Sequence, residues 1–318
     1  MMNILFITST RLGDGVLSTG ALNYFIQKYP DAKITVACGP LVAGIFKLAP
    51  NVTRVIALQK EPYAMHWRKL WMETYHTKWD IIIDLRNSLL SRFLRAQTRY
   101  IWGQQDTDKH KVEQTAEVIG ASPPPPPILW FDQDTLQTAE KLIPSGAPVL
   151  AIGPAANWLA KTWPADNFIE LIKKITAPDG FMPHARVAVF AAPGEETVAY
   201  QVLNAQPEAR RIDVIAKASP VAAAAALKRC ELYIGNDSGL MHCAAAVGTP
   251  TLGLFGPSWP ALYRPWGAHC AFVSTPQNFD ELTRYKGYRA NTAPSLMTTL
   301  TVDAVYKSAT DLRARSRC

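Results

Sequence analysis

The sequence predicts an α/β chain made of two doubly wound, Rossmann-like parallel sheets, each in its own domain. Three observations carry this. Short, near-continuous apolar runs rich in β-branched residues alternate with helical patterns, which is how strands buried on both faces read. A run of five prolines at 123–127 interrupts the alternation, which then restarts. At 318 residues and 48% apolar content, the chain is long for one domain and able to fill two cores.

Taken in order, a strand at 4–7 leads through a loop at 8–14 into a helix ending near residue 29. Further strands are predicted at 33–37, 54–58, 80–85 and 99–102, with helices at 41–48, 63–79, 88–97 and 109–119. The prolines read as a stiff, extended connector, followed by a helix at 132–143. Strands at 149–152, 186–190, 211–215, 232–235 and 251–255 then alternate with helices at 164–175, 195–204, 220–228 and an alanine-rich one ending near Gly248. A last helical pattern, 302–312, has no strand after it. The division expected is a first domain at 1–143, a second at 144–300, and a C-terminal helix at 301–318 able to pack back on the first.

Composition narrows the function. The formal charge is +7, which suits nucleic acid, an anionic membrane surface or an acidic substrate. No RNA-binding signature, zinc-finger spacing or lysine-rich tail accompanies it, so nucleic acid is not expected as a partner. Between Lys60 and Lys111 ten basic residues face six acidic ones, and Arg86, Arg92, Arg95 and Arg99 follow one another without an intervening acid. A solvated helix face explains that run as well as an acceptor-binding patch does. The five cysteines, Cys38, Cys230, Cys243, Cys270 and Cys318, are scattered and lack a Cys-x-x-Cys, which argues for a reducing compartment and against structural zinc. The N-terminus reads as a strand rather than a signal peptide, and no apolar run approaches the roughly 20 residues a spanning helix needs. A cytoplasmic protein that can touch a membrane is the expectation.

The stretch 233–258, YIGNDSGLMHCAAAVGTPTLGLFGPS, organises the second half. Asp237-Ser238-Gly239 lies between a strand and a helix. It can cap that helix, or the helix amides and dipole can hold an anion such as a diphosphate. His242 shares a helix face with Ser238 and is either structural or a donor to a phosphate or sugar. Lys161, in the loop after the strand at 149–152, is a surface lysine or a point charge for phosphate. Glu195 is either a favourable first-turn acid or an acceptor for ribose hydroxyls. In the loop at 8–14, Gly13-Asp14 precedes a helix without the Gly-x-Gly-x-x-Gly of dinucleotide binders, so no nicotinamide cofactor is expected. Asp14 is an N-cap or, in a cleft, a general base. Two Asp-x-Asp matches, at Asp106 and Asp132, are read as chance, and no metal site is expected.

Together these stretches resemble glycosyltransferase family 9, the ADP-heptose:lipopolysaccharide heptosyltransferases. The similarity runs through GDGVLSTGAL at 13–22, YPDAKITV at 29–36, APNVTRVIAL at 49–58, WDIIIDLRNSLLS at 79–91 and KHKVEQ at 109–114. It continues through KTWPADNF, GEE and NDSGLMHCAAAVGTPTLGLFGPS, and thins after Gly267. The resemblance implies the GT-B fold, with acceptor bound by the first domain and nucleotide sugar by the second, and an inverting transfer that needs no metal or other cofactor. It implies Asp14 as catalytic base. It gives Lys161 to the donor phosphate, Glu195 to the ribose with Glu196 as the alternative register, and Asp237, Ser238, Gly239 and His242 to the sugar and diphosphate. Asn157 and Ala156 stand where the family carries hydroxyl residues before the lysine, and Gly20 stands where a proline is typical. Gly13, Arg86, Arg92 and Arg95 become acceptor-side candidates. The donor implied is ADP-heptose and the acceptor an anionic glycolipid, met at the inner face of a bacterial inner membrane. A same-fold transferase or epimerase using another nucleotide sugar, and a catalytically silent GT-B binding protein, are the alternatives. An intact Asp14, Lys161 and Asp237 favour activity over the silent form.

Overall fold

A computed structural model describes residues 2–289 and 292–316; Cys318 lies outside the described residues. The chain divides into two compact units, one through Asp132 and one from Gln133 onward. Among the described residues, the first unit holds a parallel sheet of β1 (Asn3–Ile7), β2 (Lys33–Cys38), β3 (Val52–Ala57), β4 (Trp79–Asp84) and β5 (Ala96–Ile101), in the order β3-β2-β1-β4-β5. Its helices are α1 (Leu12–Lys28), α2 (Pro40–Lys47), α3 (Met65–Thr74), α4 (Leu90–Phe93) and α5 (Lys111–Ile119). Ile4 and Phe6 with Ile34, Val36, Ile81 and Ile83 pack on one face of the sheet, Leu5 and Ile7 with Ala37 and Ile82 on the other. Burial on both faces is why these strands carry no polar alternation.

The second unit opens on α6 (Gln133–Leu142) and repeats the plan with β6 (Val149–Gly153), α7 (Ala165–Thr176), β7 (Arg186–Ala191), α8 (Glu196–Asn204), β8 (Arg211–Ile215) and α9 (Pro220–Leu227). It continues with β9 (Leu232–Asn236), α10 (Gly239–Ala246), β10 (Thr251–Phe255), α11 (Pro260–Tyr263), β11 (Cys270–Ser274) and α12 (Phe279–Thr283). Its sheet runs β11-β10-β9-β6-β7-β8, all parallel. Strand order therefore reverses between β1 and β4 in one sheet and between β6 and β9 in the other. Such reversals leave a crevice at the carboxyl ends of the strands, where ligands of open α/β sheets bind.

Several elements depart from the sequence expectation. The helix expected at 88–97 is only α4, because residues 96–101 pair with β4 and Arg99 donates to the carbonyls of Ser91 and Leu94. The helix expected at 63–79 ends at Thr74, and Trp79 already belongs to β4. The strand β11 and the short helices α11 and α12 had no expected counterpart. The helix α6 belongs with the second unit and packs on α9, where the expected boundary at 143 assigned it to the first. The terminal helix α13 (Val302–Arg315) buries Val305, Ala309 and Leu312 in the second unit's own core, and Arg313 pairs with Glu231 at 2.8 Å.

The prolines are also more than a connector. They lie along α1: the carbonyl oxygens of Pro125 and Pro126 sit 2.2 and 2.7 Å from where a Cβ on Gly20 would stand. The N–H of Ile128 donates to Thr19 Oγ1 at 3.0 Å. Gly20 is thus a steric requirement. Because the opposing atoms are backbone, Gly20→Ala forces helix and strap apart. A loss of about 1–3 kcal/mol is expected in urea denaturation, and wild-type stability would show that the strap yields freely.

Candidate active site

In the second unit the reversal point gathers three loops. β9 and β6 are neighbours, with Gly153 opposite Gly235, and β7 lies next to β6. The loops after these strands carry Asp237-Ser238-Gly239, Lys161 and Glu195, in that spatial order. Asn236, fully buried at the end of β9, fixes the first two loops to each other. Its Oδ1 accepts from the Trp163 N–H at 3.0 Å and its Nδ2 donates to the Pro154 carbonyl at 2.8 Å. The far side of the same loop is held by Trp163 Nε1 donating to the Leu300 carbonyl and Ser295 Oγ donating to that of Thr162.

Lys161 is thereby brought onto the β9–α10 turn. Its Nζ donates to the carbonyl oxygen and to Oδ2 of Asp237, both at 3.0 Å, with the two side chains only 15% and 10% exposed. A surface lysine does not fit that burial. Nor do Asp237 and Ser238 act as simple caps. Ser238 is the N-cap of α10, in extended conformation, yet no side chain caps the helix. The carboxylate of Asp237 is engaged by Lys161 instead. The first amides of α10 and its positive dipole end therefore sit beside a partly buried ammonium, an arrangement that attracts anions. His242 is buried one turn along α10. Asn157 is exposed on the loop before Lys161.

The two adjacent glutamates behave differently. Glu195 is the N-cap of α8; its Oε2 accepts from the Ala192 N–H at 3.0 Å. Burial holds its carboxyl above the ordinary range, the Ala192 N–H opposes that, and the charge of Glu196 adds to it. Glu196 is held below the ordinary range by the Gly194 N–H. Of the two glutamates, Glu195 acts electrostatically on buried Tyr233.

In the first unit Asp14 stands in the first turn of α1, whose N-cap is Arg11, so it is not the cap. Its Oδ2 accepts from Ser9 Oγ at 3.3 Å. Nearby, on α5, Lys111 is half-buried with its ammonium 4.9 Å from the Trp102 ring centre and 2.9 Å from Gln114 Oε1. Burial lowers its pKa while the charge of Asp14 raises it. The β4–α4 loop adjoins this one, since the Leu85 N–H donates to the Ile7 carbonyl. Buried Asp84 shapes that loop by accepting from the amides of Arg86 and Ser88 and from Ser88 Oγ. Arg86 therefore lies on the same strand-end edge as Gly13 and Asp14. Arg92 donates to Asn87 Oδ1 at 2.9 Å, and Arg92 and Arg95 are exposed. Arg99 is engaged with carbonyls and drops out of the basic series. Asp106 closes a local turn onto the Asp108 N–H.

Sequence reasoning did not single out Ser9, Lys111, Tyr233 or Asn236. Lys111 and Asn236 sit inside the stretches KHKVEQ and NDSG, so their positions were visible. Their roles were not, because each acts on a residue distant in sequence.

Comparison with known proteins follows from this geometry. A family model described as glycosyltransferase family 9 (heptosyltransferase) matches residues 106–289. A lipooligosaccharide heptosyltransferase 2 of Haemophilus influenzae is 26% identical over 306 residues, covering 83% of this chain and 86% of its own. A lipopolysaccharide heptosyltransferase 1 of Pseudomonas aeruginosa is 26% identical over 316 residues, covering 84% and 82%. Among solved structures, the E. coli ADP-heptose heptosyltransferase II superposes with a TM-score of 0.75 over 100% of both chains at 19% identity. An E. coli heptosyltransferase solved with ADP gives 0.72 over 98% and 100%, also at 19%. These likenesses establish the GT-B fold.

The raised carboxyl of Glu195 has a consequence for stability. A carboxyl whose folded pKa lies above its unfolded value costs nothing at low pH. Its cost grows as pH rises through the unfolded and then the folded value. Glu195→Gln is therefore expected to be more stable than wild type at pH 7, and to lose that advantage as the pH falls toward about 4. Thermal melts across that window check it; an advantage that grows on acidification would contradict the burial of Glu195.

Proposed function

The chain belongs to glycosyltransferase family 9, the heptosyltransferases, and from that premise we propose that it transfers a heptose from ADP-heptose to an envelope-glycan acceptor, with inversion and without a metal ion. The observation that carries this reading is the partly buried Lys161–Asp237 pair beside the uncapped start of α10. As the bond from the anomeric carbon to the diphosphate breaks, negative charge grows on the leaving oxygen. A fixed ammonium and fixed helix amides meet that charge without having to reorganise, and need no divalent cation to help. Ser238 and Gly239 supply amides to the diphosphate, Asp237 serves the sugar, and His242 serves the phosphate or sugar. Glu195 accepts from the ribose hydroxyls, and Asn157 is a further donor-side contact.

On the first unit, Asp14 takes the proton of the acceptor hydroxyl as its oxygen bonds to the anomeric carbon. Gly13 and Arg86, on the same strand-end edge, contact the acceptor. The acceptor is an anionic glycolipid, reached at the inner face of the bacterial inner membrane. No helix among the described residues is long and apolar enough to cross a membrane, so the contact proposed is peripheral. Leu89 and Phe93 bracket α4 and are 70% and 76% exposed, beside exposed Arg86, Arg92 and Arg95. Apolar side chains flanked by guanidinium groups match a headgroup layer of negative charge.

Two experiments test the assignment. Asp14→Asn keeps the shape and removes the base, so kcat should fall about a hundredfold or more with donor affinity nearly unchanged. Lys161→Ala should weaken donor binding and slow the chemistry together. Both are measured by calorimetric titration of the nucleotide sugar and by steady-state rates, with EDTA present throughout. Loss of donor binding in Asp14→Asn at an undiminished rate would make Asp14 a ligand rather than a base. For the membrane, Arg92→Gln with Arg95→Gln should weaken binding to anionic vesicles by roughly thirtyfold at low salt, two charges at about 1 kcal/mol each. Binding indifferent to the substitutions and to salt would leave the patch a solvated face.

A further inference from the structure

The loop between β1 and α1 closes against the end of β2 before it delivers its aspartate. The Thr8 N–H donates to the Ala37 carbonyl at 2.9 Å, and the Gly39 N–H donates to the Ser9 carbonyl at 3.2 Å. A Cβ on Gly39 would stand 2.5 Å from Thr10 Cα, so this approach requires a residue without a side chain. Ser9 is thus fixed through its backbone, and its hydroxyl reaches the first turn of α1.

An acid at the third helical position can reach back to the N-cap amide and close a capping box. Two helices here do so. Glu113 of α5 accepts from the His110 N–H at 2.7 Å, and Glu281 of α12 accepts from the Asn278 N–H at 2.8 Å. Asp14 holds the same position in α1, three residues after the N-cap Arg11. There the Arg11 N–H donates instead to Ser9 Oγ, at 3.1 Å. A hydroxyl has one proton and two lone pairs. With the amide on a lone pair, Ser9 Oγ sends its proton to Asp14 Oδ2, at 3.3 Å. The bridge uses one carboxylate oxygen and leaves Oδ1 out of it.

We propose that Ser9 is a positioning residue for Asp14: it takes the N-cap amide on which the carboxylate would otherwise close, fixes Oδ2, and keeps Oδ1 for the acceptor hydroxyl. In the transfer the acceptor oxygen bonds to the anomeric carbon and its proton passes to Oδ1. The electron pair of the breaking bond leaves with the diphosphate. A carboxylate closed on the Arg11 amide would have to be drawn off the helix start before it could meet that hydroxyl. The inference rests on Asp14 being the base, as proposed above.

Ser9→Ala removes the bridge. The Arg11 amide then becomes available to Asp14, so the helix start keeps a partner and the melting temperature should change little. Turnover is read as ADP released from ADP-heptose in the presence of an envelope-glycan acceptor. In Ser9→Ala kcat should fall about five- to tenfold, while KM for the nucleotide sugar and the affinity for ADP stay at wild-type values. Ser9→Thr keeps the hydroxyl and should recover most of kcat. The double variant Ser9→Ala, Asp14→Asn should turn over within about twofold of Asp14→Asn alone, because Ser9 acts only through that carboxylate. Wild-type kcat in Ser9→Ala overturns the proposal, as does a double variant several-fold slower than Asp14→Asn. Ser9→Thr as slow as Ser9→Ala, or loss of ADP binding in Ser9→Ala, would also overturn it and make Ser9 a structural residue of the loop. Undiminished turnover in Asp14→Asn would remove the base reading itself, and this inference with it.

Discussion

Asn236 accepts a hydrogen bond from the Trp163 N–H, donates one to the Pro154 carbonyl, and is shut off from solvent. That one amide ties the loop after β6 to the end of β9. A buried polar group left unpaired costs about 1–3 kcal/mol, so neither loop can leave the other cheaply. The Lys161–Asp237 part of the proposed donor site depends on this tie. It brings Lys161 within 3.0 Å of Asp237, although the two are far apart in sequence. By occupying the aspartate it also keeps that carboxylate from capping α10.

The neighbouring strands add a second constraint of a different kind. Gly153 and Gly235 serve by having no side chain: their pairing makes room for Tyr233 at the strand ends. The edge proposed for the donor is therefore defined by absence as much as by presence, with missing Cβ atoms, a missing cap and loops held from behind. Preorganised amides and an ammonium stabilise a leaving diphosphate best when they do not have to move, and a rigid back wall supplies that.

The first unit follows the same logic at its own reversal point. Asp84 holds the turn after β4 by accepting three hydrogen bonds, so that loop lies alongside the one bearing Asp14. The proline strap over α1 and the glycine beneath it fix the helix that carries the aspartate. Lys111, half-buried on Trp102, gives that carboxylate a cationic neighbour.

The sequence by itself determined the alternation of strands and helices, the two parallel sheets and the strand–Asp-Ser-Gly–helix motif, because burial on both faces and helix periodicity are written locally. It also marked Asp14, Lys161, Glu195 and Asp237 as the residues to examine. It misjudged 88–97, where pairing with β4 overrides helical periodicity, and it passed over β11, whose five residues become a strand only by joining β10. Only tertiary structure showed that the Ser238 side chain does not cap α10 and that Lys161 forms a partly buried ion pair rather than standing as a surface lysine. Lys161 pairs with a residue that the chain brings near from elsewhere in the sequence, and what stands beside the start of α10 is likewise set by loops remote from it. Local sequence carries no record of either.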